Sequence, residues 1–188
     1  MIANSGEYRK KNGQRGCVMM NNFIFENKTK VYFGKGGVKE YLGGLLANFG
    51  ETVMLAYGGG SIKRSGVYDE VMGILNAAGK RVVEFDRIMS NPTYAKVQEG
   101  AKLARENHVD LILAVGGGSV SDCCKVISAQ ANLDEDIWEM QYKKHTLPTK
   151  FIPLGNTLLF TPSSCISVFP GRQAVLRMDC KRGGSCSR

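Results

Sequence analysis

The residues best suited to chemistry are two identical tetrapeptides, Gly58-Gly59-Gly60-Ser61 and Gly116-Gly117-Gly118-Ser119. Each follows a nearly uninterrupted apolar run, residues 52–57 and 111–115. Glycine lets a backbone approach a ligand without interference from a Cβ. A helix starting just after such a turn presents unpaired N–H groups and a partial positive charge to a phosphate. Ser119 is placed to cap that helix and to donate to an anion. One such turn alone is equally well explained as a tight turn with an ordinary cap. Two of them, each after a buried strand, favour a nucleotide phosphate. Asp122 follows Ser119 by three residues and Lys125 follows Asp122 by three. The helix dipole alone accounts for a carboxylate at a helix start. The functional alternative is an acceptor facing the cofactor cleft, with Lys125 either beside it or solvated. No GxGxxG follows the first apolar strand, so the common dinucleotide fingerprint is absent.

Other reactive side chains exclude more than they suggest. The cysteines are Cys17, Cys123, Cys124, Cys165, Cys180 and Cys186, without a CxxC pair. That argues against a zinc ribbon or a disulfide framework, and a reducing cytoplasm is the expected compartment. Only two histidines exist, His108 and His145, so three-histidine metal sites cannot be built from these residues. Each reads as an ordinary loop or solvated histidine.

The elements that would position the two turns can be read from periodicity. Lys30-Val31-Tyr32-Phe33 reads as a strand, paired hairpin-fashion with Phe23-Ile24-Phe25. Val38, Tyr41, Leu42, Leu45 and Leu46 keep a helical period. The run 52–57 reads as a strand covered on both faces. Val67, Val71, Ile74 and Leu75 mark a helix, residues 81–85 a strand, and residues 94–107 a helix. The loop between the last two contains Asn91-Pro92. Residues 111–115 are a second buried strand, 120–131 a helix with Asp122 in its first turn, and 151–155 a last short strand. Strands alternating with helices of this length indicate an α/β domain with a doubly wound parallel sheet of the dinucleotide-binding kind.

The chain has 188 residues, 43% hydrophobic and 22% charged, an ordinary globular composition. Its net charge of +8 resides in the ends: +3 over residues 1–19, +4 over 171–188 and +1 over the remainder. A nucleic-acid partner is therefore not expected, and no apolar run approaches membrane-spanning length. Residues 1–20 read as a disordered N-terminal extension, 21–155 as the α/β domain, and 156–188 as an irregular, frameshifted tail.

The stretch ILAVGGGSVSDCCKVISA (112–129), with YGGGSIKRSGVYDEV (57–71), the Asn91-Pro92-Thr93 triplet and the start NNFIFENKTKVYFGKGGV (21–38), resembles the iron-containing alcohol dehydrogenase family. Within it, the butanol dehydrogenase and NADPH-dependent aldehyde reductase branch is nearest. The resemblance runs from about residue 21 to 155 and implies the NAD(P)-binding half of a larger enzyme. In that family a helical C-terminal domain holds iron or zinc through one Asp and three His. The implied substrate is an alcohol or aldehyde, oxidised or reduced by hydride transfer with NADP or NAD; a homodimer is compatible with it. Carried over, Gly116, Gly117, Gly118 and Ser119 would cradle the pyrophosphate with Asp122 nearby. Gly58, Gly59, Gly60 and Ser61 would lie at the adenosine end, and Asn91 and Pro92 would line the cofactor cleft. Lys63 and Arg64 follow where a 2′-phosphate would lie. The metal ligands and the helical metal domain are expected to be missing from these residues, leaving a truncated half that is inactive alone. The alternatives are a glycerol dehydrogenase or dehydroquinate synthase relative, and a nucleotide-binding module without chemistry.

Overall fold

In the computed structural model, residues 29–34, 36–158 and 164–169 are described. The elements in chain order are β1 (Lys30–Gly34), α1 (Gly37–Leu46), β2 (Thr52–Tyr57), α2 (Ser61–Arg64), α3 (Val67–Ala77), β3 (Arg81–Phe85), α4 (Tyr94–Glu106), β4 (Leu111–Gly116), α5 (Gly118–Gln130), a π-helical turn (Glu139–Lys143), β5 (Leu154–Leu158) and β6 (Ser164–Phe169). They form one six-stranded sheet in the order β1-β6-β5-β4-β2-β3. The strands β3, β2, β4 and β5 are parallel.

The apolar runs of β2 and β4 are buried along nearly their whole length because each strand contributes to two cores. Met54, Ala56, Ile112 and Ala114 face α4 and α5, joining Val97, Ala101, Cys123, Cys124 and Ile127. Val53, Leu55, Tyr57, Leu111, Leu113 and Val115 face α1 and α3, joining Leu42, Leu46, Val71 and Leu75. This period-two division of unbroken hydrophobic strands is the signature of a sheet covered on both sides. The doubly wound α/β expectation holds for these four strands.

The edge of the sheet differs from the expectation. β6 is antiparallel to β5 and to β1, with Lys30 opposite Val168 and Leu154 opposite Phe169. The sheet is therefore mixed, and the segment expected to be irregular after residue 155 contains a strand. β5 also starts later than expected, at Leu154. Pro153 has no N–H for the ladder and only its carbonyl is used, accepting from the Ile112 amide at 2.9 Å. The expected partner strand at Phe23-Ile24-Phe25, the N-terminal extension, and residues 170–188 of the tail lie outside the described residues.

Candidate cofactor cleft

The site follows from strand order. β2 leads through α2 and α3 to β3 on one side, whereas β4 leads through α5 to β5 on the other. Between β2 and β4 the winding reverses, and ligands of open α/β sheets sit beyond the carboxyl ends of the strands at such a point. Tyr57 pairs with Val115, so the two glycine runs leave the sheet side by side.

The glycines divide by what surrounds them. A Cβ on Gly116, whose φ is +157°, would lie 2.9 Å from Val120 Cγ2. A Cβ on Gly58 would lie 3.0 Å from the Ile88 carbonyl oxygen and 3.6 Å from the same Val120 methyl. Val120, 5% exposed, is thus packed against both runs. By contrast, a Cβ on Gly59, Gly117 or Gly118 would meet nothing within 4 Å. Protein packing does not require glycine at these three positions, which leave the backbone openly approachable.

The second run is shorter as a turn than its sequence suggested. Gly117 caps α5, and its carbonyl accepts from the amides of Val120 at 3.1 Å and Ser121 at 3.2 Å. Gly118 and Ser119 are already helical, so Ser119 is not the N-cap and makes no side-chain cap bond. The first amides of a helix have no intrahelical partner, which leaves those of Gly118 and Ser119 to point toward the open space beyond Gly117. Asp122 accordingly falls in the second turn rather than the first. Its carboxylate is exposed and paired with Lys125 at 3.1 Å along the helix.

The first run leads into α2, a four-residue helix that begins at Ser61 and was not expected from periodicity. The loop after β3 is laid against it: the Arg87 amide donates to Gly58 O at 3.1 Å and the Ile88 amide to Tyr57 O at 3.2 Å. The same loop carries Asn91, exposed with φ +54°, and Pro92, which is buried. Thr93 then caps α4 by accepting from the Lys96 amide at 3.3 Å.

The contacts of Glu84 beside the cleft carried no sequence signal. Glu84 on β3 accepts the Tyr57 hydroxyl at 2.6 Å and the Tyr68 hydroxyl at 2.9 Å. The Lys63 ammonium lies 4.7 Å from the Tyr68 ring centroid and 5.4 Å from that of Tyr57. The Tyr57 hydroxyl bond, seconded by that of Tyr68 and the Lys63 charge, holds the Glu84 carboxyl below its ordinary range against the opposing effect of burial. Its pKa is depressed on folding, so the linked stability is fully present above the ordinary glutamate range. That stability is lost as pH falls through the folded value. Replacing Tyr57 by phenylalanine is expected to cost under about 1 kcal/mol at pH 7, the Glu84 carboxylate being exposed. Urea unfolding at pH 7 and at pH 3 should show the difference from wild type shrinking at the lower pH; an unchanged difference would remove Glu84 from the account.

On the far side, β5 brings polar groups to the α5 flank. Asn156 Nδ2 donates to Ser121 Oγ at 3.0 Å, while Asn156 Oδ1 and Thr157 Oγ1 are buried without hydrogen-bond partners among the described residues. The open Cβ positions at Gly117 and Gly118, with unpaired helix amides beside them, fit a phosphate group of a nicotinamide cofactor.

The residues do not fit a metal. Among the described residues no group of three His, Cys, Asp or Glu side chains is placed to hold an ion. His108 and His145 occupy exposed left-handed positions, with φ of 50° and 51°. Cys123 and Cys124 are buried, and burial pushes the Cys123 thiol up to about 12, unfavourable for a thiolate ligand. No described helix is long and apolar enough to cross a membrane.

Comparison with known proteins bears on the family. The chain is 47% identical over 139 residues to the probable NADH-dependent butanol dehydrogenase 1 of Bacillus subtilis, a match covering 74% of this chain and 35% of that protein. It is 40% identical over 144 residues to the NADPH-dependent aldehyde reductase YqhD of Escherichia coli, again covering 74% and 35%. The crystal structure of NADH-dependent butanol dehydrogenase A from Thermotoga maritima superposes with a TM-score of 0.66 at 38% identity, over 72% of this chain and 34% of that one. The chain thus spans about a third of the length of the curated relatives it matches. The family profile of the iron-containing alcohol dehydrogenases matches residues 28–167, past the expected limit at 155 and into β6. With that profile covering most of the chain, the chain belongs to the iron-containing alcohol dehydrogenase family.

Proposed function

We propose that the described residues form the NAD(P)-binding half of a metal-dependent alcohol dehydrogenase or aldehyde reductase. The observation that carries this reading is the pair of glycine runs side by side at the switch point, one leading into a thirteen-residue helix with open first amides. In this reading Gly116, Gly117, Gly118 and Ser119 hold the pyrophosphate on the α5 amides, with Asp122 and Lys125 as a neutral pair beside it. Gly58, Gly59, Gly60 and Ser61 take the adenosine end, flanked by the loop bearing Asn91 and Pro92. The bound cofactor would supply hydride exchange with a primary alcohol or aldehyde. The residues of this chain bind and orient it. The implied iron or zinc finds no ligand set among the described residues, so no step is assigned to it here. The reduced, buried Cys123 and Cys124 favour a cytoplasmic setting.

No carboxylate occurs between Gly58 and Tyr68 to repel a 2′-phosphate, and we assign acceptance of NADPH at least equal to that of NADH. Calorimetric titration of the 188-residue chain with each cofactor is expected to show binding of both, without turnover of butanol when iron or zinc is added. Absence of binding by either cofactor would defeat the reading. Robust metal-dependent turnover would show that the metal ligands lie within these residues after all.

A further inference from the structure

Helix α5 is tied by polar groups, near both of its ends, to the segment that enters and forms β5. Ser128 Oγ donates to the Ile152 carbonyl at 2.5 Å, and the Ile152 amide donates to the Ser128 carbonyl at 3.0 Å. Seven residues earlier, Ser121 Oγ accepts from Asn156 Nδ2 at 3.0 Å. That spacing places both serines on one helix face, and both are buried, at 4% exposure for Ser121 and 0% for Ser128. The tie at Ser121 leaves a defect in the core. Asn156 is 4% exposed, and its Oδ1 has no hydrogen-bond partner among the described residues. A buried polar atom left unpaired lowers stability, whereas replacing both partners of a buried bond by apolar groups is close to neutral or stabilising. Thr157 repeats the defect on the other face of the strand, its Oγ1 unpaired among the described residues at 0% exposure. Asn156 lies opposite Ala114, in the core under α4 and α5, and Thr157 opposite Val115, in the core under α1 and α3.

Of these two side chains, Asn156 is the one bonded to an element of the cleft. Ser121 completes the first turn of α5, directly after Gly118 and Ser119, whose amides have no intrahelical partner. Apolar contact between a helix and a sheet is non-directional and tolerates sliding and rotation. A hydrogen bond fixes both distance and angle, and ligand-binding groups hold their aim through such supporting bonds. We propose that Asn156 is a positioning residue of the cofactor cleft: by holding Ser121 it sets the first turn of α5 so that the Gly118 and Ser119 amides converge on a phosphate, and it does so while leaving an unpaired oxygen in the core. The proposal rests on the reading of the α5 amides as the phosphate site. Stability and binding then pull in opposite directions at this one position, a conflict characteristic of groups retained for function. At Thr157 no such conflict arises, because its hydroxyl supports nothing in the cleft.

Removing the bonded pair and removing the neighbouring hydroxyl separate positioning from stability. In the 188-residue chain, the double variant Ser121→Ala/Asn156→Leu is expected to melt no lower than the unmodified protein, yet to bind ADP about fivefold more weakly in calorimetric titration. Thr157→Val takes a polar atom out of the same strand on the opposite face. It should raise the melting temperature by about 2–4 °C and leave ADP affinity within about twofold. The amide resonances of Gly118 and Ser119 should move on saturation with ADP in the unmodified chain and in Thr157→Val, and move less in the double variant. A double variant that binds ADP as tightly as the unmodified chain would overturn the assignment while leaving the phosphate site standing. So would one that loses stability and affinity together, the mark of a structural role alone, or an equal loss of affinity in Thr157→Val. Failure of the unmodified chain to bind ADP, with the Gly118 and Ser119 resonances unmoved, would refute the phosphate site itself and this assignment with it.

Discussion

Gly116→Ala is expected to lower the unfolding free energy by about 2–4 kcal/mol and to abolish nucleotide binding. Two costs combine. A side chain at φ +157° enters backbone territory that glycine alone adopts readily, at about 1–3 kcal/mol. The new methyl would also stand 2.9 Å from Val120 Cγ2, and overpacking of that kind costs about 1–3 kcal/mol. Val120 has little room to retreat, being only 5% exposed. The strain therefore falls on the second turn, where the cofactor phosphate is proposed to sit. Urea unfolding of Gly116→Ala, Val120→Ala and the double variant forms a cycle. Because Val120→Ala removes the methyl in conflict, the double variant should be more stable than the sum of the single losses predicts, by about 1 kcal/mol. Native stability in Gly116→Ala, or strict additivity, would show that the turn relaxes freely.

The second large effect is expected where α4 crosses α5. Gly100 lies at the point of closest approach, and a Cβ there would fall 2.4 Å from Ile127 Cδ1 and 2.9 Å from the Phe85 ring. Alanine in mid-helix is favoured over glycine by about 1 kcal/mol. Against it stands the overpacking of a contact in which Ile127 is 0% and Phe85 2% exposed, at about 1–3 kcal/mol. The packing term wins because the clash involves two immobilised side chains rather than one free end. Gly100→Ala should therefore be destabilised by about 1–2 kcal/mol despite its better helix propensity. Ile127→Val removes the Cδ1 atom and should restore part of the loss in the double variant. Stabilisation by Gly100→Ala alone would show that α4 can move away from α5 without penalty.

These two glycines illustrate what the chain discloses before its structure is known. The strands β2 and β4, the helices between them and the placement of both glycine runs at strand ends are legible. Unbroken apolar runs and helical periods are local signals. The start of α5 was misplaced because glycines carry no side-chain cap to mark it, so Gly118 and Ser119 read as turn although they are helical. Strand β6 was missed because its alternation is brief and its partners β1 and β5 are set by distant pairing. The partners of Lys63 were not legible either. They depend on where Tyr68 and Glu84 arrive from α3 and β3, which no local pattern encodes.

The position of β6 between β5 and β1 also carries a message about time. Among the described residues β1 has one partner in the sheet, and Lys30 meets it at Val168. A ribosome delivers β1 early and its partner more than a hundred residues later. The parallel strands β2, β3 and β4, with the helices joining them, can associate while β1 still has an empty ladder on the side it will use. Pairings separated this far in sequence form slowly, and an unpaired strand edge is a template for another chain in the interval. Val31 and Phe33 remain 61% and 74% exposed even in the completed sheet, so β1 is an adhesive segment from the moment of its synthesis. Strand β1 thus waits through the synthesis of β2, β3, β4 and β5 before β6 arrives.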